Sequence, residues 1–406
     1  MLECDVLVVG AGPSGSSSAR AAALNGFKVI LVEKKEKPGK IECGEAIGSY
    51  LLPFLPFNIP KDQLIWKTKG MSFTTKDLHI ERYGKLWEAF SIDRGKFDFW
   101  LAKNAEKSGA KLITNTELFD FEYEKNKDII ATLKNKNKKI DIKTKILIGA
   151  DGVDSTVLKS LNLYKPKEND NADILSYEFE NVYNTDSNLE QIYLGDYING
   201  GYGYIFPKSK KKINIGVGSI YKQDLEKSFE EFCELPEIKK QIKNGRKIIE
   251  KSGKAPVFPF NDKYNHGNIL FTGDAACQNF KPYAEGILPG IICGDICGKT
   301  ASSFLKNNTP LDMYKKNIEK KIGILFKESD KITEILYDLF DMKDRKKYSI
   351  ICAFASNLYS YKEIERFKEY NYKDILKMIN KKSNSIFFNR LKEDFYVNYL
   401  KLKNII

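Results

Sequence analysis

The chain opens on a short apolar run, residues 5–9, that leads straight into Gly10-Ala11-Gly12-Pro13-Ser14-Gly15. No other feature constrains the fold as strongly. The run reads as a buried strand. Residues 14–25, rich in Ala and Ser, read as a helix slim enough to lie close on a sheet. Gly26 marks its C-terminal end, and residues 29–32 give the next strand. This is the start of a right-handed parallel unit. Gly10 permits the tight turn, Gly12 lets the backbone approach a pyrophosphate, and Gly15 lets helix and strand pack closely. The helix N-terminus offers unpaired N–H groups and a positive dipole end to a phosphate. Glu33 ends the second strand, 18 residues past Gly15, where it can accept hydrogen bonds from a ribose diol. The pattern predicts a dinucleotide site and leaves FAD and NAD unresolved.

Further along, residues 34–60 read as loop, punctuated by Pro38, Gly39, Pro53, Pro56 and Pro60. Residues 64–90 alternate as strands do, and residues 93–108 carry Phe97, Leu101 and Ala105 on one helical face. Four strands are predicted at 111–114, 118–123, 128–133 and 139–142. A separate one from Ile146 runs into Gly149-Ala150-Asp151-Gly152. Residues 172–219 are strand-like, with Tyr177, Phe179, Tyr193, Tyr202, Tyr204 and Phe206 in alternation; these aromatics suit a core and a ligand-pocket wall equally. A helix near 224–234, an extended stretch near 247–258 and a strand at 269–272 ending in Gly273-Asp274-Ala275 follow. The remainder reads as helical, with a stripe of Ile332, Ile335, Leu336, Leu339 and Phe340.

Three segments beyond the glycine turn carry a resemblance. Asp93-Arg94 at a helix start, Gly149 to Ser155, and Gly273-Asp274-Ala275-Ala276 resemble, in order and spacing, the FAD-contacting motifs of para-hydroxybenzoate-hydroxylase-like flavoproteins. Within that superfamily the chain is most similar to the geranylgeranyl reductases, which saturate isolated double bonds in prenyl chains, including those of archaeal ether lipids. Three more segments carry this likeness: Ile41 to Gly48 around Cys43-Gly44-Glu45, Gly201 to Lys208, and Pro282-Tyr283-Ala284-Glu285-Gly286-Ile287. Tyr204 stands where that family commonly has Trp, and Ala284 where Gly is usual.

The resemblance implies an α/β fold: a Rossmann-like FAD-binding domain, an antiparallel-sheet substrate domain and a helical C-terminal region. The expected division is 1–60, 91–170 and 265–305 for FAD, 61–90 and 171–264 for the substrate side, and 306–406 for the helices. With Gly10, Gly12 and Gly15 of the turn, the implied FAD contacts are Ser14, Glu33, Gly44, Glu45, Ile47, Arg94, Leu118, Asp274, Gly286 and Ile287, Leu118 through its backbone alone. Cys43, in a glycine-flanked loop, is the first candidate to modulate the flavin or donate a proton. Tyr202 and Tyr204 are alternative proton donors or pocket liners, as is Tyr283.

Alkene reduction needs a hydride at one carbon and a proton at the other, with water excluded. A prenyl chain has no polar handle near its inner double bonds, so its pocket must be an apolar tunnel. A hydroxylase or halogenase on the same fold is the rival reading. A flavin-dependent structural or tRNA-modification role is a third.

Composition sets the remaining bounds. No stretch approaches the length of a spanning helix, and the N-terminus lacks a signal peptide's basic start, so a cytoplasmic location is expected. Seven cysteines and two histidines, His79 and His266, make neither a disulfide framework nor a metal site, and no metal is expected. The net charge is +12, and from Ala301 onward 22 Lys+Arg stand against 14 Asp+Glu, a surplus of 8. With Tyr359, Tyr361, Phe387, Phe388, Phe395 and Tyr396, this basic region suggests peripheral contact with a membrane surface. No motif supports nucleic-acid binding. A second nicotinamide-binding glycine unit is absent, so the electron donor is left among NAD(P)H, a deazaflavin and a small redox protein.

Overall fold

A computed structural model describes residues 1–39, 43–124, 128–136, 138–258 and 263–383. The strands are β1 (Leu2–Val9), β2 (Val29–Val32), β3 (Ala46–Gly48), β4 (Trp66–Thr68), β5 (Gly70–Thr74), β6 (His79–Tyr83), β7 (Ala89–Ser91), β8 (Lys111–Ile113), β9 (Thr116–Tyr123), β10 (Ile129–Asn135), β11 (Lys138–Gly149), β12 (Asn171–Glu180), β13 (Leu189–Tyr193), β14 (Gly201–Ser209), β15 (Lys212–Ser219), β16 (Arg246–Pro256), β17 (Asn265–His266) and β18 (Ile269–Phe271). The helices are α1 (Pro13–Leu24), α2 (Arg94–Lys107), α3 (Thr156–Ser160), α4 (Leu225–Cys233), α5 (Pro236–Ile242), α6 (Ile287–Asn307), α7 (Met313–Phe340), α8 (Lys346–Ala355), α9 (Tyr361–Phe367) and α10 (Tyr372–Ser383).

Strands β18, β11, β1, β2 and β8 lie side by side and parallel. The inner strands β1 and β2 are rich in Val, Leu and Ile because both faces are covered, one by α1, α2 and α6 and the other by β9, β10 and α3. A second sheet, in the order β16-β12-β15-β14-β13-β5-β6, is antiparallel apart from the β13–β5 pair. A small sheet, β3-β7-β4, sits beside them. The C-terminal helices pack on the second sheet: Leu336, Leu339 and Phe340 of α7 and Ile350 and Ile351 of α8 share a core with Phe73, Ile80 and Ile192. The three expected architectural parts are all present.

Several local expectations change. The stretches at 139–142 and from Ile146 are one strand, β11, because Thr144 is buried between them and keeps the period of two. Residues 34–60 hold β3 and a 3-10 turn over Ser49–Phe54, which no periodicity marked. The alternating aromatics divide between the two faces of the second sheet. Tyr177, Phe179 and Tyr193 pack with Phe229 and Phe232 of α4, while Tyr202, Tyr204 and Phe206 face the other way, into a cavity.

Helix α6 crosses α1 with almost no room between the backbones. A Cβ on Gly294 would lie 2.2 Å from Ser14 O, and one on Gly298 2.2 Å from Ser18 O. Ser17 and Ser18 of α1 donate hydrogen bonds to the carbonyls of Ile291 and Gly294. This close crossing fixes where the glycine turn at the head of α1 points.

Candidate functional site

The glycine turn is built as its residue types require. Gly10 has φ +98°, and a Cβ there would come within 2.3 Å of Ala150 O. Gly15 would meet Gly10 O at 1.9 Å. Above Gly12 there is nothing within 4 Å. Gly12 is also the N-cap of α1 and offers no side chain to the first-turn N–H groups, which leaves them for a ligand. Glu33 Oε2 accepts from the Ala11 N–H at 2.9 Å and Oε1 from the Lys35 N–H at 3.0 Å. Glu33 therefore holds the turn's own backbone as well as facing the cavity.

One cavity of about 1510 Å³ runs from this turn to the second sheet. Typical small-molecule pockets hold roughly 300–1,000 Å³, so this one has room for a dinucleotide and a second ligand. Its wall includes Gly10, Gly12, Ser14, Glu33, Cys43, Gly44, Glu45, Arg94, Leu118, Tyr202, Tyr204, Asp274, Gly286 and Ile287. Gly15 and Ile47 are not among the lining residues. Gly15 is spent on the contact with Gly10, and Ile47 is buried in the core through β3. The far arm is apolar: Met71, Phe73, Trp87, Ile192 and Leu194 from the sheet side face Ile332, Leu336, Phe340, Ile351 and Phe354 of α7 and α8.

Between the two arms lies the loop of Cys43, Gly44 and Glu45. Gly44 has no side chain because Phe206 stands 2.8 Å from where its Cβ would be. The carbonyl of Cys43 accepts from Asn214 Nδ2 at 2.9 Å, and its Sγ from the Glu45 N–H at 3.2 Å. The Arg94 guanidinium lies beside that thiol and makes a bidentate pair with Asp98 at 2.8 and 2.7 Å. Burial works against the Arg94 charge, but Asp98 overrides it and holds the pKa above its ordinary value.

Glu45 has φ +61° and is 3% exposed. Its Oε1 accepts from the Arg94 N–H at 2.9 Å, and its Oε2 lies 2.5 Å from Lys208 Nζ and 2.8 Å from Lys251 Nζ. Lys208 and Lys251 also reach Glu178 Oε1, and Lys212 reaches Glu178 Oε2. Three ammonium groups thus enclose two carboxylates. Against the upward push of burial, Lys212, Lys208 and Lys251 hold Glu178 well below the ordinary carboxylate range. Sequence reading missed Glu178, Lys208 and Lys251. For Glu178 and Lys208 the signal was charge inside strands of largely apolar alternation; Lys251 lies in β16, where charge is common and marks nothing.

At the remaining wall, Gly286 caps α6, and a Cβ there would crowd the Asp274 carboxylate at 3.0 Å. Burial pushes Asp274 up, and no protein donor among the described residues bonds its carboxylate. Glu285 accepts from the Gly48 N–H at 2.9 Å and from Tyr50 Oη at 2.8 Å. Ala284 has φ +51°, a left-handed backbone that explains the usual glycine at that place. Tyr283 Oη donates to Ala355 O, so its proton is engaged. His79 and His266 are both exposed and line no part of this cavity.

The open space over Gly12, the uncapped start of α1 and the free Asp274 carboxylate fit a pyrophosphate-linked dinucleotide. Comparison with known proteins agrees. Residues 5–153 match the FAD-dependent oxidoreductase family model, and residues 170–255 the geranylgeranyl reductase catalytic domain. The digeranylgeranylglycerophospholipid reductase of Methanocaldococcus jannaschii is 34% identical over 330 residues, covering 78% of this chain and 81% of its own length. The chain belongs to the digeranylgeranylglycerophospholipid reductase family. The reductase of that name from Methanococcus aeolicus is 31% identical over 319 residues, 77% of this chain and 80% of its own. A crystal structure of a geranylgeranyl bacteriochlorophyll reductase-like protein from Thermoplasma acidophilum shares the fold, with TM-score 0.79 at 24% identity over 94% of this chain and 100% of that one. As a member of this family the protein is an FAD-dependent oxidoreductase.

Proposed function

We propose that this protein saturates C=C bonds of geranylgeranyl or other prenyl chains in the synthesis of archaeal-type membrane lipids. One observation carries the reading: the cavity that begins at the glycine turn continues past Cys43 and Gly44 into an apolar arm between the second sheet and α7–α8. Such an arm binds an alkyl chain by area alone, at about 0.8 kcal/mol per buried CH₂.

On this reading Gly10, Gly12, Ser14 and the start of α1 hold the pyrophosphate of FAD, and Glu33 the adenosine ribose. Arg94, Leu118, Asp274, Gly44, Glu45, Gly286 and Ile287 line the rest of its site. Reduced FAD supplies the hydride equivalent for alkene reduction. The chain's own work is to lay the alkene against that site, exclude water and provide a proton. Cys43, Tyr202 and Tyr204 stand at the junction of the two arms. Tyr204 is buried with Ser176 as its polar neighbour, and burial raises its pKa, so it stays a neutral phenol. We assign residues 1–60, 91–170 and 265–305 to the FAD side, 61–90 and 171–264 to the substrate side, and the helices from 306 to closing the tunnel.

The lipid substrate implies contact with a membrane surface. No described helix is long and apolar enough to cross a membrane. Tyr359, expected at the surface, is buried, with its hydroxyl bonded to Met378 O. Phe387, Phe388, Phe395 and Tyr396 lie outside the described residues. The described surface that fits is α10, where exposed Tyr372 and Met378 sit among Lys373, Lys377 and Lys381. We place the protein in the cytoplasm, peripheral to the membrane. NAD(P)H, a deazaflavin and a small redox protein all fit as electron donor.

The test is anaerobic incubation of the FAD-loaded protein with dithionite and prenyl lipids, followed by mass spectrometry. Two hydrogen atoms gained per double bond is the expected result. Unchanged masses with geranylgeranyl lipids, together with oxygen-dependent oxidation of an aromatic substrate, would move the assignment to the monooxygenase alternative.

A further inference from the structure

Glu190 puts a carboxyl in the wall of the apolar arm that none of the roles above uses. Glu190 lies on β13, where the alternation sends Glu190, Ile192 and Leu194 to the cavity and Gln191 and Tyr193 to the opposite face. It is 1% exposed. Its Oε1 accepts from Thr68 Oγ1 at 3.2 Å, and its Oε2 is buried with no hydrogen-bond partner among the described residues.

Its position in the sheet is specific. Glu190 is paired with Met71 on β5, and it lies one step beyond the Gln191–Ile205 pair of β13 and β14. That brings it level with Phe206, the ring that fills the space beside Gly44. The carboxyl is therefore at the end of the apolar arm nearest the Cys43–Gly44 loop.

The charged groups around it have other partners. Lys208, next on the cavity face of β14, is bound to Glu45 and Glu178. Lys67 and Glu88, flanking Thr68 and Ala89, pair with each other at 3.0 Å. Arg82, across Met71 on β6, lies over the Trp87 ring. Glu45 and Glu285, the other carboxylates near the loop, accept hydrogen bonds on both oxygens.

We propose that Glu190 is the proton donor of the alkene reduction, an inference that rests on the function assigned above. In that step the O–H bond of the Glu190 carboxyl breaks and a C–H bond forms at one alkene carbon. A bound reduced FAD would supply the hydride for the other carbon and be oxidised as the alkene is reduced. The Thr68 hydroxyl has two acceptors in reach, Ala89 O at 3.3 Å and Glu190 Oε1, and turns to the carboxylate once the proton has left. Water re-protonates Glu190 after the product departs. Burial pushes the Glu190 pKa up to about 8, which keeps the proton in place at neutral pH.

The experiment uses the FAD-loaded parent, Glu190→Gln and Glu190→Asp. Reduced anaerobically with dithionite and mixed with a geranylgeranyl phospholipid in detergent, the parent's flavin re-oxidises. Glu190→Gln is expected to keep its flavin spectrum and re-oxidise at least about 100-fold more slowly, with Glu190→Asp in between. In pH-difference infrared spectra, recorded without substrate, a protonated-carboxyl band titrating near pH 8 is expected in the parent and absent from Glu190→Gln. Parental re-oxidation in Glu190→Gln, or a Glu190 already ionised at pH 7, overturns the proposal and leaves the reductase reading standing. A parent that re-oxidises with no prenyl lipid overturns both.

Discussion

Lys208 Nζ lies 2.5 Å from Glu45 Oε2, with both side chains 4% exposed, and ties the cofactor-side loop to the substrate-side sheet. Glu45 holds a left-handed backbone, which for a non-glycine residue persists only when its surroundings over-determine it. Lys208, Lys251 and the Arg94 N–H do so here. Lys208→Met should cost on the order of 3–5 kcal/mol, because it leaves buried carboxylates short of a cation. Urea unfolding measures that loss. Flavin release should precede global unfolding in the variant, seen as flavin fluorescence rising before the far-UV signal falls.

Glu33 accepts one hydrogen bond from the glycine turn, at the Ala11 N–H, and one from the Lys35 N–H just after it. Hydrogen bonds to charged groups contribute about 1.5–3 kcal/mol each, so Glu33→Ala should weaken FAD retention by more than about tenfold. The measurement is the flavin-to-protein absorbance ratio after extended dialysis. A variant as yellow as the parent would remove Glu33 from the site.

The α1–α6 crossing gives a contrast within one helix. Gly294→Ala places a methyl group 2.2 Å from Ser14 O and must separate the helices, at about 1–3 kcal/mol. Gly290→Ala, whose nearest neighbour would be 3.6 Å away, meets only ordinary contact and should hold or gain up to about 1 kcal/mol from helix propensity. Thermal unfolding of the two variants side by side checks the difference.

Glu190 makes stability depend on pH. Its folded pKa, about 8, is above the ordinary 4.5, so the unfolded chain releases the proton first. The stabilisation from the buried neutral acid is full below about 4.5 and declines as pH rises to about 8. Glu190→Gln cannot ionise. Its melting temperature should therefore match the parent's near pH 4.5 and exceed it at pH 8.5, the gap opening by up to about 1.4 kcal/mol per pH unit. Parallel curves over that range would show that Glu190 is already ionised in the folded protein.

Local order along the chain was enough to determine the parallel unit at the N-terminus, helix α2, which the structure shows capped by Asp93, and the apolar stripe of α7. Each depends on residues close in sequence: a glycine turn, a capping side chain, a period of 3.6. The same locality made Gly10, Gly12, Ser14 and Glu33 legible as one site. Only the tertiary structure decided which face each aromatic of the second sheet occupies, since a period of two says that neighbours diverge and not which side meets the cavity. It alone brought Glu45, Glu178, Lys208 and Lys251 together, from three strands and a loop up to 206 positions apart. And it alone left Glu190 without a counter-ion among the described residues, because what neutralises or strands a buried charge is set by packing between segments, which no local pattern records.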